Sequence, residues 1–288
     1  MPESRLAGRL RADAALRWGL VGTAFWLVTA LLGPLILAGE PSVIGPAELR
    51  LVAPSWAHPL GTDALGRDVL QRLVHGARVS LAVGGVSVLV AVLAGTLVGL
   101  AAGLGPRWLE SVLMRATDVL LAFPRIFLVL LLVALSRPSL LLVMVVLGLT
   151  GWMPVARLVR GEVLALRERE FVTAARGLGL TSLQVAWRHL LPNLLPLLAL
   201  TAALRVGEAV LMEAFLSFLG LGAQEPTVSW GAMIEQGRPF LVEGWWIATF
   251  PGLALVAAVV SFNLLGDGLR DLWDPRTADR TPPRETVT

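Results

Sequence analysis

Glu170-Phe171-Val172-Thr173-Ala174-Ala175-Arg176-Gly177-Leu178-Gly179 lies between two long apolar blocks, and the organisation of the chain is read outward from it. Small Ala174 and Ala175 let a helix surface approach another backbone closely, and Gly177 and Gly179 supply a sharp bend. Thr181 or Ser182 can cap a second short helix, which stops at Leu190-Leu191-Pro192-Asn193, where Pro192 resets the chain. Residues 157–194 therefore predict helix, bend and helix, a compact knob between two apolar blocks.

Those blocks fall near residues 18–38, 80–103, 109–135, 140–158, 195–219 and 245–265. About 20 helical residues cross roughly 30 Å of hydrocarbon, so each block is long enough to be a span. The chain is 56% apolar and 16% charged with a mean hydropathy of +0.73, more than a water-soluble fold can bury. It reads as an all-α membrane protein with six transmembrane helices: a tail over 1–17, an uncleaved first helix over 18–38, an external segment over 39–79, a five-helix core over 80–274 that includes the knob, and a tail over 275–288 expected to be disordered. All 24 basic residues are arginine. With the N-terminus inside, 16 fall on cytoplasmic segments and 6 on outer ones, while Arg125 and Arg205 lie in spans. That excess sets both termini on the cytoplasmic side. A pI near 11.0 would suggest nucleic acid in a soluble protein, but these arginines sit in short loops and act as topology signals beside membrane lipid.

Cysteine is absent, which excludes disulfides, thiolate nucleophiles and cysteine-ligated metal on this chain. Without lysine there is no P-loop lysine and no Schiff base. No metal site is expected.

Asp118 and Arg125 in the third block are seven apart, two turns on one face, and Pro124 can bend that span. In the fifth, Arg205 and Glu208 are three apart and can pair, with Glu213 further toward the outside. Charges at membrane depth face a bundle interior, a partner or water, so these five are candidates for lining a path; paired structural charges that fix helix register are the alternative. Gly95, Gly99 and Gly103 give the second span a smooth packing face. In the external segment Thr62 or Asp63 can cap an interfacial helix with Leu65, Val69, Leu73 and Ala77 on one face and arginines on the other. Between 222 and 244 Ser229 caps a further short helix near Glu225, Trp230, Glu235, Arg238 and Glu243.

The inner segment resembles the EAA loop of binding-protein-dependent importer permeases: an alanine pair, three residues, glycine, about a dozen residues, then leucine-proline. The glutamate that names the loop would fall at Thr173, with Glu170 one turn earlier, and His189 replaces an apolar residue. Two more stretches are similar to the C-type subunit of the dipeptide, oligopeptide and nickel branch. One is His58-Pro59-Leu60-Gly61-Thr62-Asp63-Ala64-Leu65-Gly66-Arg67-Asp68-Val69-Leu70 with Gly76-Ala77-Arg78-Val79-Ser80-Leu81. The other is Leu216-Ser217-Phe218-Leu219-Gly220-Leu221-Gly222 with Ser229-Trp230-Gly231, followed by Gly266-Asp267-Gly268-Leu269-Arg270-Asp271 and Asp274-Pro275.

The resemblance implies a type I ABC importer permease in a bacterial or archaeal cytoplasmic membrane, carrying di- or oligopeptides, with nickel or another small solute as the alternative. It implies half of a translocation path, completed by a sister permease, two cytoplasmic ATPase subunits and an external binding protein. ATP and Mg would be held by the ATPases, so no cofactor and no catalysis are expected on this chain. By the same resemblance Glu170, Thr173, Ala174, Ala175, Arg176, Gly177, Gly179 and Pro192 would form the coupling element, with Ala174, Ala175 and Gly179 as its contact face. Glu225, Ser229, Trp230, Glu235 and Arg238 would lie on the rim that receives the binding protein; a solvated connector is the alternative there. An ion-coupled secondary transporter is a further alternative, but such proteins usually carry an internal repeat and residues 1–144 and 145–288 show no convincing one; a membrane hydrolase would need motifs that this sequence lacks.

Overall fold

The computed structural model describes residues 14–37, 39–136 and 139–273; residues 1–13 of the tail expected over 1–17, the tail over 275–288, Arg137 and Asp274 lie outside the described residues, and residues 14–17 of the expected tail already belong to the first helix. In chain order the helices are α1 (Ala14–Ile36), α2 (Val69–Leu104), α3 (Arg107–Leu121), α4 (Arg125–Ala134), α5 (Leu140–Leu149), α6 (Trp152–Arg167), α7 (Glu170–Gly177), α8 (Ser182–Val185), α9 (Leu191–Phe218), α10 (Trp230–Gly237) and α11 (Trp246–Trp273). Five stretches are long and apolar enough to cross a membrane: α1, α2, α5 with α6, α8 through α9, and α11. The pair α3 and α4, bent by 81°, makes a sixth crossing if taken as one.

The bend follows from Pro124, which has no N–H and forces the preceding residue out of the helical region. It sits at the N-cap of α4 with ψ 120, so α4 starts on a new axis. Asp118 and Arg125, expected on one face of a straight span, are therefore divided between two helices and take different partners.

Residues 62–68 do not form the expected interfacial helix. The Asp63 carboxylate accepts the N–H groups of Leu65 and Arg67, at 2.8 and 2.9 Å, and Gly66 takes φ +74, which closes a tight turn in place of a helical one. The helix begins only at Val69, where Asp68 accepts from Gln71 N at 2.9 Å, and it runs without a break to Leu104.

At the inner end α8 joins α9 through a π-turn over Ala186–Leu190, so Pro192 sits inside a continuous helix and does not reset the chain. The Leu191 N–H reaches back five residues to Ala186 O, and that wider turn gives the helix room to absorb the missing N–H of Pro192.

The core is organised around α2, which lies against α1, α5, α6 and α9. The glycine stripe on α2 forms its seam with α6: a Cβ at Gly99 would stand 2.6 Å from Val159 Cβ and 2.8 Å from Ala156 O. At that distance any side chain would push the two backbones apart.

Candidate coupling and translocation sites

The inner knob is anchored by few residues and exposes most of its surface. Val172 and Ala175 on α7 are buried with Val159, Val163, Val185, Leu190 and Leu194, which fixes α7 to α6 and to the start of α9. Ala175, expected on the contact face, is 4% exposed and is an anchor; it faces inward because it shares a helical face with Val172, three residues earlier. Glu170, Thr173, Ala174, Arg176, Gly177, Leu178 and Gly179 are exposed, Leu178 to 82%. Gly179 takes φ +84, a conformation costly for any residue with a Cβ, and Leu180 N donates back to Ala175 O at 3.2 Å. Thr181 and Gln184 then form a reciprocal capping box on α8. Turn and cap together hold α7 and α8 in one relative orientation. Among the described residues neither Glu170 nor Arg176 has an ion-pair partner. Pro192 and Asn193 are exposed beside the knob.

At membrane depth the charges sort into two groups. Asp118 pairs with Arg157 of α6, both about half exposed. One turn further along α6, Arg160 pairs with Glu110, which ties α3 to α6 a second time. Arg125 pairs with Glu208 of α9 and donates to Leu147 O at 3.2 Å, while Arg205 lies 3.7 Å from Glu208 and donates to Gly151 O at 3.4 Å. The Glu208 side chain is 50% exposed although it sits in the middle of a span. A carboxylate there cannot face hydrocarbon without heavy cost, so this face meets water or another protein.

Glu213 differs. It is fully buried, accepts from Ser80 of α2 at 3.0 Å and from Ser217 at 2.6 Å, and stands beside Ser229, whose hydroxyl caps α10. Trp230, also fully buried, donates its backbone N–H to Ser80 Oγ and its indole N–H to Leu73 O. Glu213 is thus the centre of a hydroxyl hub joining α2, α9 and α10, and it does not line a path in this conformation. Ser229 and Trp230 are likewise removed from the outer surface by burial, leaving Glu225, Glu235 and Arg238 exposed on that rim.

The outer segment supplies a group that its sequence pattern did not disclose. Asp63 is 3% exposed and pairs with both Arg67 and Arg72, themselves buried; Arg67 also reaches Glu225 at 2.7 Å, and both arginines donate to Gln236. Burial alone would raise the Asp63 pKa, but the Arg67 N–H and the two guanidinium groups outweigh it and hold the carboxyl below its ordinary value. Glu225 is lowered too, chiefly by its hydrogen bond from Arg67. The i,i+4 spacings Asp63–Arg67 and Asp68–Arg72 were the available signal; their role as a clamp was hidden because Glu225 and Gln236 lie more than 150 residues away.

Comparison with known proteins gives concordant findings. Residues 95–279 match the family described as binding-protein-dependent transport system inner membrane component. The dipeptide transport system permease protein DppC of Alkalihalophilus pseudofirmus is 40% identical over 258 residues, covering 90% of this chain and 84% of that protein. A protein of Brucella suis biovar 1, provisionally named a peptide permease, is 40% identical over 277 residues, covering 96% of this chain and 91% of its own length. Among solved structures, a chain of the MetNI methionine ABC transporter in an inward-facing crystal form superposes with a TM-score of 0.56 at 22% identity, covering 70% of this chain and 96% of that one, which supports the type I importer permease fold. Helices long and apolar enough to cross a membrane several times, an inner helix–bend–helix and a family match over most of the core lead to one conclusion: the chain belongs to the binding-protein-dependent transport system inner membrane components, the multi-pass permease subunits of ABC importers.

Proposed function

We propose that this subunit carries di- and oligopeptides into the cell as half of a path completed by a sister permease, with its inner knob docked on one of two cytoplasmic ATPase subunits and a binding protein delivering cargo to its outer rim. ATP and Mg are held by the ATPases, and this chain performs no catalysis of its own. The observation that carries the reading is the knob itself: a short helix anchored by Val172 and Ala175 and bent at Gly179, whose other face is exposed and whose Glu170 and Arg176 have no ion-pair partner among the described residues. A rigid knob transmits displacement where a loose loop would absorb it. Closure of the ATPase pair would push α7. Because α6 carries α7 and is tied to α3 by Glu110–Arg160 and Asp118–Arg157, the push would reach the spans. The peptide cargo is supported by the names of the relatives that match nearly the whole chain.

The test is ATP-dependent uptake by the assembled complex in proteoliposomes, with a panel of di- and tripeptides and nickel chelates. Peptide uptake that vanishes without ATP or without the binding protein is the expected result. Uptake driven by a proton gradient alone contradicts it, and uptake of nickel chelates without peptides would reassign the cargo.

A further inference from the structure

Arg125, Arg205 and Glu208 make an unbalanced site. Two guanidinium groups share one carboxylate, and among the described residues their further acceptors are the backbone oxygens of Leu147 and Gly151. The Arg125 Nε is buried with no hydrogen-bond partner among the described residues. Glu213, the nearest other acid on α9, has its oxygens engaged by Ser80 and Ser217 and forms no ion pair among the described residues. The site therefore holds one positive charge in excess, at membrane depth, on a face where Glu208 is half exposed. A desolvated guanidinium demands an anion, and a planar carboxylate matches its fork.

We infer that Arg205 and Arg125, sharing Glu208 as an internal counter-ion, form a transient resting site for the carboxylate of the passing solute. The inference rests on the reading that this face lines the path. Its chemistry suits transport: Glu208 already occupies Arg125, so an incoming carboxylate completes the excess charge without being held by two free arginines, and it can leave again. The crevice is narrow, lined also by Ser87 and Ala91, and a Cβ at Gly151 would stand 3.2 Å from an Arg125 nitrogen, so the backbone of Gly151 leaves space for the arginine to lie across it.

The experiment uses the complete complex in nanodiscs and phenylglyoxal, an arginine-specific reagent, with modification at Arg205 read by mass spectrometry. Acetate, or a dipeptide with a free C-terminus, is expected to slow that modification several-fold; acetamide and the dipeptide amide are not. Equal rates with carboxylate and amide overturn the inference, and so does an Arg205 that is unreactive throughout, as it would be if the sister subunit supplied a fixed acid. Uptake by Arg205→Gln and Arg205→Lys complexes gives a second arm: the loss caused by Gln should be about tenfold greater for the free-carboxylate peptide than for its amide, with Lys restoring most of it. The same fold loss for both peptides contradicts the site. A complex that imports peptides while Arg205 ignores carboxylates sinks this inference alone; one that imports no peptide, yet shows acetate protection, sinks the peptide reading and leaves the site.

Discussion

The two ends of the molecule are built on opposite terms. At the outer end most of the polar groups are buried and paired within the chain: Asp63, Arg67 and Arg72, with half-exposed Glu225, lock residues 61–72 to the region of α10, and Glu213 with its serines lies just beneath. At the inner end the polar groups of the knob are exposed and, for Glu170 and Arg176, without ion pairs among the described residues. A closed network holds a shape, whereas an open surface waits for a partner. The contrast fits a lever whose outer end is braced within the chain and whose inner end is completed by another protein.

Substitutions should separate the two ends, first by stability. Asp63→Ala strands two buried guanidinium groups and is expected to cost about 3–5 kcal/mol, read as a fall in the thermal unfolding midpoint in detergent. Ser80→Ala removes one donor from buried Glu213 and the acceptor of the Trp230 N–H, at roughly 1–3 kcal/mol. Gly179→Val strains the αL position by about 1–2 kcal/mol yet meets no atom, so the protein should insert and fold while uptake is lost and ATP hydrolysis continues. Gly177→Ala, in a helical and open position, should leave stability within about 1 kcal/mol of the parent and preserve uptake. Loss of uptake with Gly177→Ala at normal expression would mean that the contact is tighter than the bend requires.

The outer clamp also sets a pH response. Asp63 and Glu225 have folded values below the ordinary carboxylate range, so their contribution is fully present above that range and is lost only as pH falls through the lowered values. Unfolding midpoints of the parent and of Asp63→Asn should differ by the same amount at pH 7 and pH 5.5, and converge in stronger acid. Half-exposed Glu225 contributes less because solvent screens it.

Much of the architecture was legible because its signals are local: apolar length and arginine bias give the spans and their orientation, the alanine pair and glycines give the knob near residue 177, and the four-residue spacing of Gly95, Gly99 and Gly103 gives the seam on α2. The misreadings share a cause, since each depended on three-dimensional packing or backbone geometry that residue types alone do not display. Asp63 offered a plausible helix cap, but its carboxylate is recruited into a turn by Arg67 and Arg72, and those arginines are buried because Glu225 and Gln236 come to meet them. Ala175 looked equivalent to Ala174 until packing chose which of the two faced Val163 and Val185. Pro192 reads as a stop in one dimension, and only the π-turn before it shows how the helix passes through.

The absence of cysteine makes one measurement unusually clean, because a single introduced thiol is unique in this chain. Leu178→Cys places that thiol at the tip of the knob. In the assembled complex it should cross-link to an ATPase subunit, and in sealed cells it should be reached by membrane-impermeant maleimide only after the cytoplasm is opened. Labelling from the outside, or a tip that cross-links to nothing while the complex transports, would contradict the account.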